Sequence, residues 1–76
     1  MDKDYTVMGN QQIQYLIQTY DLTYSQARRL LMWEDGMSYA QIAKLEGTTK
    51  GAIQASVGLA MNKVKGVESG TEIIDG

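Results

Sequence analysis

The sequence predicts an all-α fold, on three observations. Apolar residues recur at helical spacing in several stretches, two capping boxes mark helix starts, and no stretch of useful length alternates as a half-buried strand does. Proline is absent, so glycine and capping residues supply the punctuation. From Asn10 onward, Ile13, Leu16, Ile17 and Tyr20 fall at i, i+3, i+4 and i+7, with Gln11, Gln12, Gln14 and Gln18 on the other faces. That pattern predicts an amphipathic helix over 10–20, ended at Asp21-Leu22. Thr23 with Gln26 forms the first capping box and opens a helix over roughly 24–34, burying Ala27, Leu30 and Leu31 with Trp33 at the edge. Asp35-Gly36 supplies a left-handed stop.

Ser38 with Gln41 forms the second box. It opens a short helix carrying Ile42, Ala43 and Leu45, which Gly47 terminates. Thr48-Thr49 lead into a longer helix, about 50–64, whose apolar stripe is Ile53, Val57, Ala60, Met61 and Val64. Gly66 then breaks the pattern. The expected organisation is a flexible N-terminal arm over 1–9, one helical domain over 10–65 and a flexible acidic tail over 66–76.

Composition narrows the function. The 76 residues include no Cys and no His, which excludes disulfides, zinc fingers and iron–sulfur clusters. Without His, a Ser-His-Asp or Cys-His active site cannot be built, and the acids form no pair suited to general acid–base work. Neither catalysis, a metal nor a cofactor is expected. No apolar run approaches the ~18–20 residues of a membrane span, and no signal-peptide pattern is visible, so the expected location is cytoplasmic and away from membranes. The net charge of −2 is distributed unevenly. Six of the seven cations but only three of the nine acids (Glu34, Asp35 and Glu46) lie within 23–65, leaving that stretch at +3. Acidic ends flanking a basic middle are compatible with a nucleic-acid contact that overall charge would argue against.

A short helix, a tight turn containing glycine and a longer helix over 38–64 describe a helix-turn-helix. Ala43 is small where the second helix must pass close, Gly47 sits where a positive φ reverses the chain, and Ile53 can insert between the preceding helices. An antiparallel helical hairpin with no further role would offer the same spacing.

Three segments carry a family likeness: Leu22-Thr23-Tyr24-Ser25-Gln26-Ala27-Arg28-Arg29-Leu30-Leu31, Gly36-Met37-Ser38-Tyr39-Ala40-Gln41-Ile42-Ala43 and Gly47-Thr48-Thr49-Lys50-Gly51-Ala52-Ile53. In that order and spacing they resemble region 4 of bacterial sigma factors, and small phage-encoded regulators with this module are similar. The resemblance implies a trihelical DNA-binding module whose last helix enters the major groove; it implies a module, not a whole sigma factor. The chain departs from the family in that helix. Its outward positions are Lys50, Gly51, Gln54, Ala55, Gly58 and Asn62, where the family usually carries several Arg and Lys.

The candidate DNA-binding residues are therefore Lys50, Gly51, Gln54, Ala55 and Gly58 on the last helix, with Arg28, Arg29, Lys44 and Tyr39 as backbone contacts around it. Gln54 has the donor–acceptor pair that suits adenine. Gly51, Ala55 and Gly58 form a small-residue surface that would let either DNA or a partner helix come close. The expected function is sequence-specific regulation of transcription on double-stranded DNA. The alternatives are a protein-binding inhibitor or adaptor that occupies an RNA polymerase or nuclease, and a DNA-packaging recognition subunit. The helix at 10–20 is a candidate homodimer interface, or a cap on the core.

Overall fold

Four helices make up the fold in the computed structural model: α1 (Gln11–Tyr20), α2 (Tyr24–Glu34), α3 (Tyr39–Glu46) and α4 (Lys50–Ser69). The structure describes residues 5, 6 and 8–69; residues 1–4, 7 and 70–76, which include parts of the expected arm and tail, lie outside the described residues. Among the described residues there is no strand, as the sequence predicts.

Each helix start is set locally. The Asn10 side chain accepts from the backbone N–H groups of Gln12 and Ile13 at 2.9 and 3.1 Å. Both capping boxes form: the Thr23 and Ser38 hydroxyls accept from the N–H groups of Gln26 and Gln41, whose side chains accept in return from the cap N–H. Thr49 Oγ1 accepts from Ala52 N at 3.1 Å, which opens α4 in the same manner. Such caps satisfy donors that the first turn of a helix leaves unpaired.

The ends of α2 and α3 use glycine. Gly36 (φ +104°) and Gly47 (φ +72°) adopt left-handed conformations. The next residue folds back in each case, with Met37 N donating to Met32 O at 3.1 Å and Thr48 N to Ala43 O at 3.0 Å. This six-to-one closure is the Schellman arrangement. Helix α1 ends on Asp21, a non-glycine residue at φ +57°, whose carbonyl accepts from Lys63 Nζ at 3.0 Å. The ammonium thus meets the negative end of the α1 dipole.

The core forms around α2, which packs against all three other helices, whereas α1 and α3 do not meet. Ile13, Leu30, Met32, Ile42, Ile53 and Val57 are the largest fully buried side chains. Leu30, Ile42 and Ile53 join α2, α3 and α4 in one cluster, with Ile13 contributed by α1. The expected stripe of α1 is used for this core: Ile13 and Tyr20 are buried, and Leu16 and Ile17 pack partly against it.

Four expectations need correction. Leu45, assigned to the inward side of α3, is 58 % exposed, and Glu46 takes its place. The reason is geometric: Glu46 lies one turn beyond Ile42 on the inward face, whereas Leu45 falls outside it at about 100° per residue. Met32 and Leu22 are buried without having been expected in the core. Helix α4 does not stop before Gly66 but runs to Ser69. A glycine inside a helix costs only about 0.5–1 kcal/mol, and here Tyr20 donates its hydroxyl to Glu68 Oε2 at 2.8 Å, fastening the added turn to α1. Finally, Tyr5 does not belong to a loose arm. It packs against the core, its hydroxyl donates to Asp35 Oδ2 at 2.7 Å and its carbonyl accepts from the Tyr24 hydroxyl at 3.1 Å.

These phenols titrate late. The hydrogen bond to Glu68, reinforced by burial, pushes Tyr20 up to about 12, and burial together with the bond to Asp35 pushes Tyr5 up to about 12. Since the folded state holds the protonated phenols, their contribution to stability is complete below pH 10 and is lost as pH rises toward 12. Alkaline unfolding of the parent chain should accordingly steepen in that window, and Tyr20→Phe should flatten the fall. Independently, Ile53→Ala should cost ~2–5 kcal/mol in a chemical or thermal melt. A melt equal to the parent's would place Ile53 outside the core.

Candidate nucleic-acid interface

Helix α3, the Gly47–Thr49 turn and helix α4 form the helix-turn-helix unit, packed together and against α2. Because Ile53, Val57 and Ala60 are fully buried, the opposite side of α4 faces outward. Gly51, Gln54, Ala55, Gly58 and Asn62 all lie on that exposed side, with Lys50 exposed at its start. The structure thus brings four of the expected residues, Gly51, Gln54, Ala55 and Gly58, onto the outward side of α4, with Lys50 exposed at the first position of the helix. Ala52 and Leu59, not singled out in the sequence, flank it, and Leu59 is 57 % exposed. Over the 20 residues of α4, about 30 Å in length, the stretch from Gly51 to Asn62 carries no charge.

The glycines on this surface have no internal purpose. A Cβ added at Gly51 or at Gly58 would meet nothing within 4 Å, and neither residue has a positive φ. Among the described residues nothing requires the smaller residue at either position.

The expected ring of cations divides into two groups. Lys44, on α3, and Lys50 are exposed, and no described residue pairs with either. Arg28 and Arg29 are differently placed. Arg28 Nη1 donates to Glu46 Oε2 at 2.5 Å and Arg29 Nε to Glu46 Oε1 at 2.7 Å, so one carboxylate takes both guanidinium groups. The Glu46 side chain is 9 % exposed, against 27 % and 23 % for the two arginines. Arg28 Nε is buried with no hydrogen-bond partner. Sequence reasoning missed Glu46, although its position one turn after Ile42 was the available signal.

Tyr39 opens α3 and is half-buried. Its ring lies parallel to Trp33, at 6.2 Å between centroids and 9° between planes. The ring is thus held between α2 and the start of α3.

Among the described residues no three His, Cys, Asp or Glu side chains gather as a metal site, and no helix is long and apolar enough to cross a membrane. The chain matches no protein-family model, no curated protein and no solved structure in these comparisons.

Open space around Gly58 predicts a stability gain. Gly58→Ala removes unfolded-chain entropy without a clash and should raise the unfolding free energy by about 0.5–1 kcal/mol, measured by denaturant melting. A loss would mean that the surface is covered in solution.

Proposed function

We propose that the protein is a small helix-turn-helix regulator that binds double-stranded DNA through the outward face of α4. One observation carries the reading: the α3–turn–α4 unit leaves that face uncovered, with Lys50 at its N-terminal end and Gln54 in its second turn. The resemblance of residues 22–53 to region 4 of sigma factors supports the same reading, and a phage origin for the regulator rests on that resemblance alone.

In this reading the residues have separate roles. Lys50 meets a phosphate and contributes affinity without regard to sequence. Gln54 offers one donor and one acceptor to the major-groove edge of adenine, and Ala52 or Ala55 can lie against a thymine methyl. Gly51 and Gly58 allow the helix backbone to approach the groove closely. With Lys44, Lys50 and Lys65 as the cations left unpaired among the described residues, one copy binds weakly. A homodimer reading two half-sites about one helical turn apart would multiply the contacts. Its interface would lie outside the α1 stripe, which the core occupies.

The second reading is an inhibitor or adaptor that places this face against a protein such as a polymerase or nuclease. It is favoured by the uncharged run from Gly51 to Asn62 and by exposed Leu59. A DNA-packaging subunit would use the face as the first reading does.

Binding to random-sequence duplexes at two salt concentrations tests the proposal. Lys50→Ala should weaken all sequences and reduce the salt slope by about one unit. Gln54→Ala should cost ~1–3 kcal/mol only on sites bearing the contacted base, and Ala55→Glu should abolish binding. If no duplex binds even at low salt, the face belongs to a protein partner, whose complex Gly58→Leu would disrupt while Lys50→Ala would not.

A further inference from the structure

We propose that Glu46 acts as a brake on duplex binding by holding Arg28 and Arg29 away from phosphate; the inference rests on the DNA-binding reading and deepens it. The placement of Glu46 is not explained by stability. It ends α3, where a negative charge opposes the helix dipole. Its side chain is 9 % exposed, at a point of the inward face where an apolar residue would pack without any charge to compensate. An ion pair in such a position is seldom more stabilising than well-packed apolar side chains. The neighbouring Leu45 meanwhile faces solvent at 58 % exposure, the reverse of what packing alone would select.

What the acid accomplishes is electrostatic. Its two carboxylate oxygens take Arg28 Nη1 and Arg29 Nε at 2.5 and 2.7 Å. Arginine is the better side chain for gripping phosphate, because its planar fork matches the oxygens. Both arginines retain about a quarter of their side-chain exposure, so they are near the surface. Glu46 is only four residues from Lys50, no more than about 15 Å of extended chain. The guanidinium groups therefore gather at the end of the module from which α4 departs. With the carboxylate in place they present a triad of net charge +1; without it they would present +2 and free donors. Halving their charge leaves more of the proposed attraction to the lysines and gives sequence contacts such as that of Gln54 more weight against indiscriminate binding.

The test uses the full chain and a random-sequence duplex of fixed length, titrated across a range of salt, with melting curves for every variant. Glu46→Gln keeps the shape of the side chain and removes its charge. It should bind more tightly at low salt, and the slope of log affinity against log salt should steepen by about one to two units, roughly one for each arginine released. In the parent background, Arg28→Gln and Arg29→Gln should each change the slope by less than the one unit of a free phosphate contact, because the carboxylate already occupies those groups and leaves the triad only +1. The proposal is overturned if Glu46→Gln melts near the parent with an unaltered or shallower slope. It is equally overturned if either arginine variant flattens the parent slope by a full unit or more, a result that stands even where Glu46→Gln fails to fold. Binding at low salt by both chains, tighter for Glu46→Gln than for the parent, supports the brake. Failure of both folded chains to bind at low salt removes the DNA reading itself.

Discussion

Enclosure of α2 is the constraint on which the rest of this small domain depends. A chain of 76 residues has too little apolar surface for two layers with separate cores. It packs the other three helices on α2, and α4 likewise meets all three of its neighbours. Ala27, Leu30, Leu31 and Met32 are all buried, and they occupy well over half of the circumference of α2. The geometry of the helix-turn-helix follows, since α3 and α4 find their relative positions by each packing on α2 and on the other through Ile42 and Ile53. Helix α1 completes the enclosure from the side away from α3.

That enclosure explains which parts of the fold could be read from sequence. Helix starts and stops were legible because their causes are local: a Thr or Ser hydroxyl and a Gln three residues later, or a glycine in the left-handed region. The buried face of α4 was legible because one side of that helix meets the core and the other meets solvent. Met32 was not legible, because an amphipathic stripe presumes a single buried face and α2 has several. Leu45 and Glu46 misled for a related reason. Identity suggests that a leucine belongs inside and a glutamate outside, but α3 is only eight residues long and its inward direction is fixed by Tyr39, Ile42 and Ala43. The glutamate can lie there only because α2 supplies two guanidinium groups from outside the local sequence. The last turn of α4 likewise depends on a bond between residues 48 positions apart.

The candidate site was legible in its residues but not in its division of labour. Charge counting treats Arg28, Arg29, Lys44 and Lys50 alike, whereas the fold spends the arginines on Glu46 and leaves the lysines exposed. The +3 of the middle segment already counts Glu46, and the arginine–glutamate triad contributes only +1 of it. A protein of net charge −2 can approach a duplex only where its positive side chains are exposed and its acids are distant or occupied. Glu46 is occupied, and Asp35 accepts from the Tyr5 hydroxyl.

Small residues on α4 complete the physical case for an outward contact. Gly51 and Gly58 each weaken the helix by about 0.5–1 kcal/mol relative to Ala, in a domain whose whole stability is of the order of 3–5 kcal/mol. Among the described residues no contact explains them, because added methyl groups would reach nothing within 4 Å. The open side of α4 thus combines small residues, no charge over twelve residues and Lys50 at its start, the features on which the proposed contact rests. Against a duplex, small residues bring the backbone near the bases and leave Gln54 as the projecting polar group. Against a protein helix, the same residues would admit a ridge of larger side chains, with exposed Leu59 beside it. The two partners differ in how they respond to salt. Phosphate attraction through Lys50 and Lys44 is screened within about 10 Å at 0.1 M salt, whereas apolar packing around Leu59 is not weakened by screening. The balance between those responses, more than the shape of α4, separates the proposed regulator from an adaptor built on the same fold.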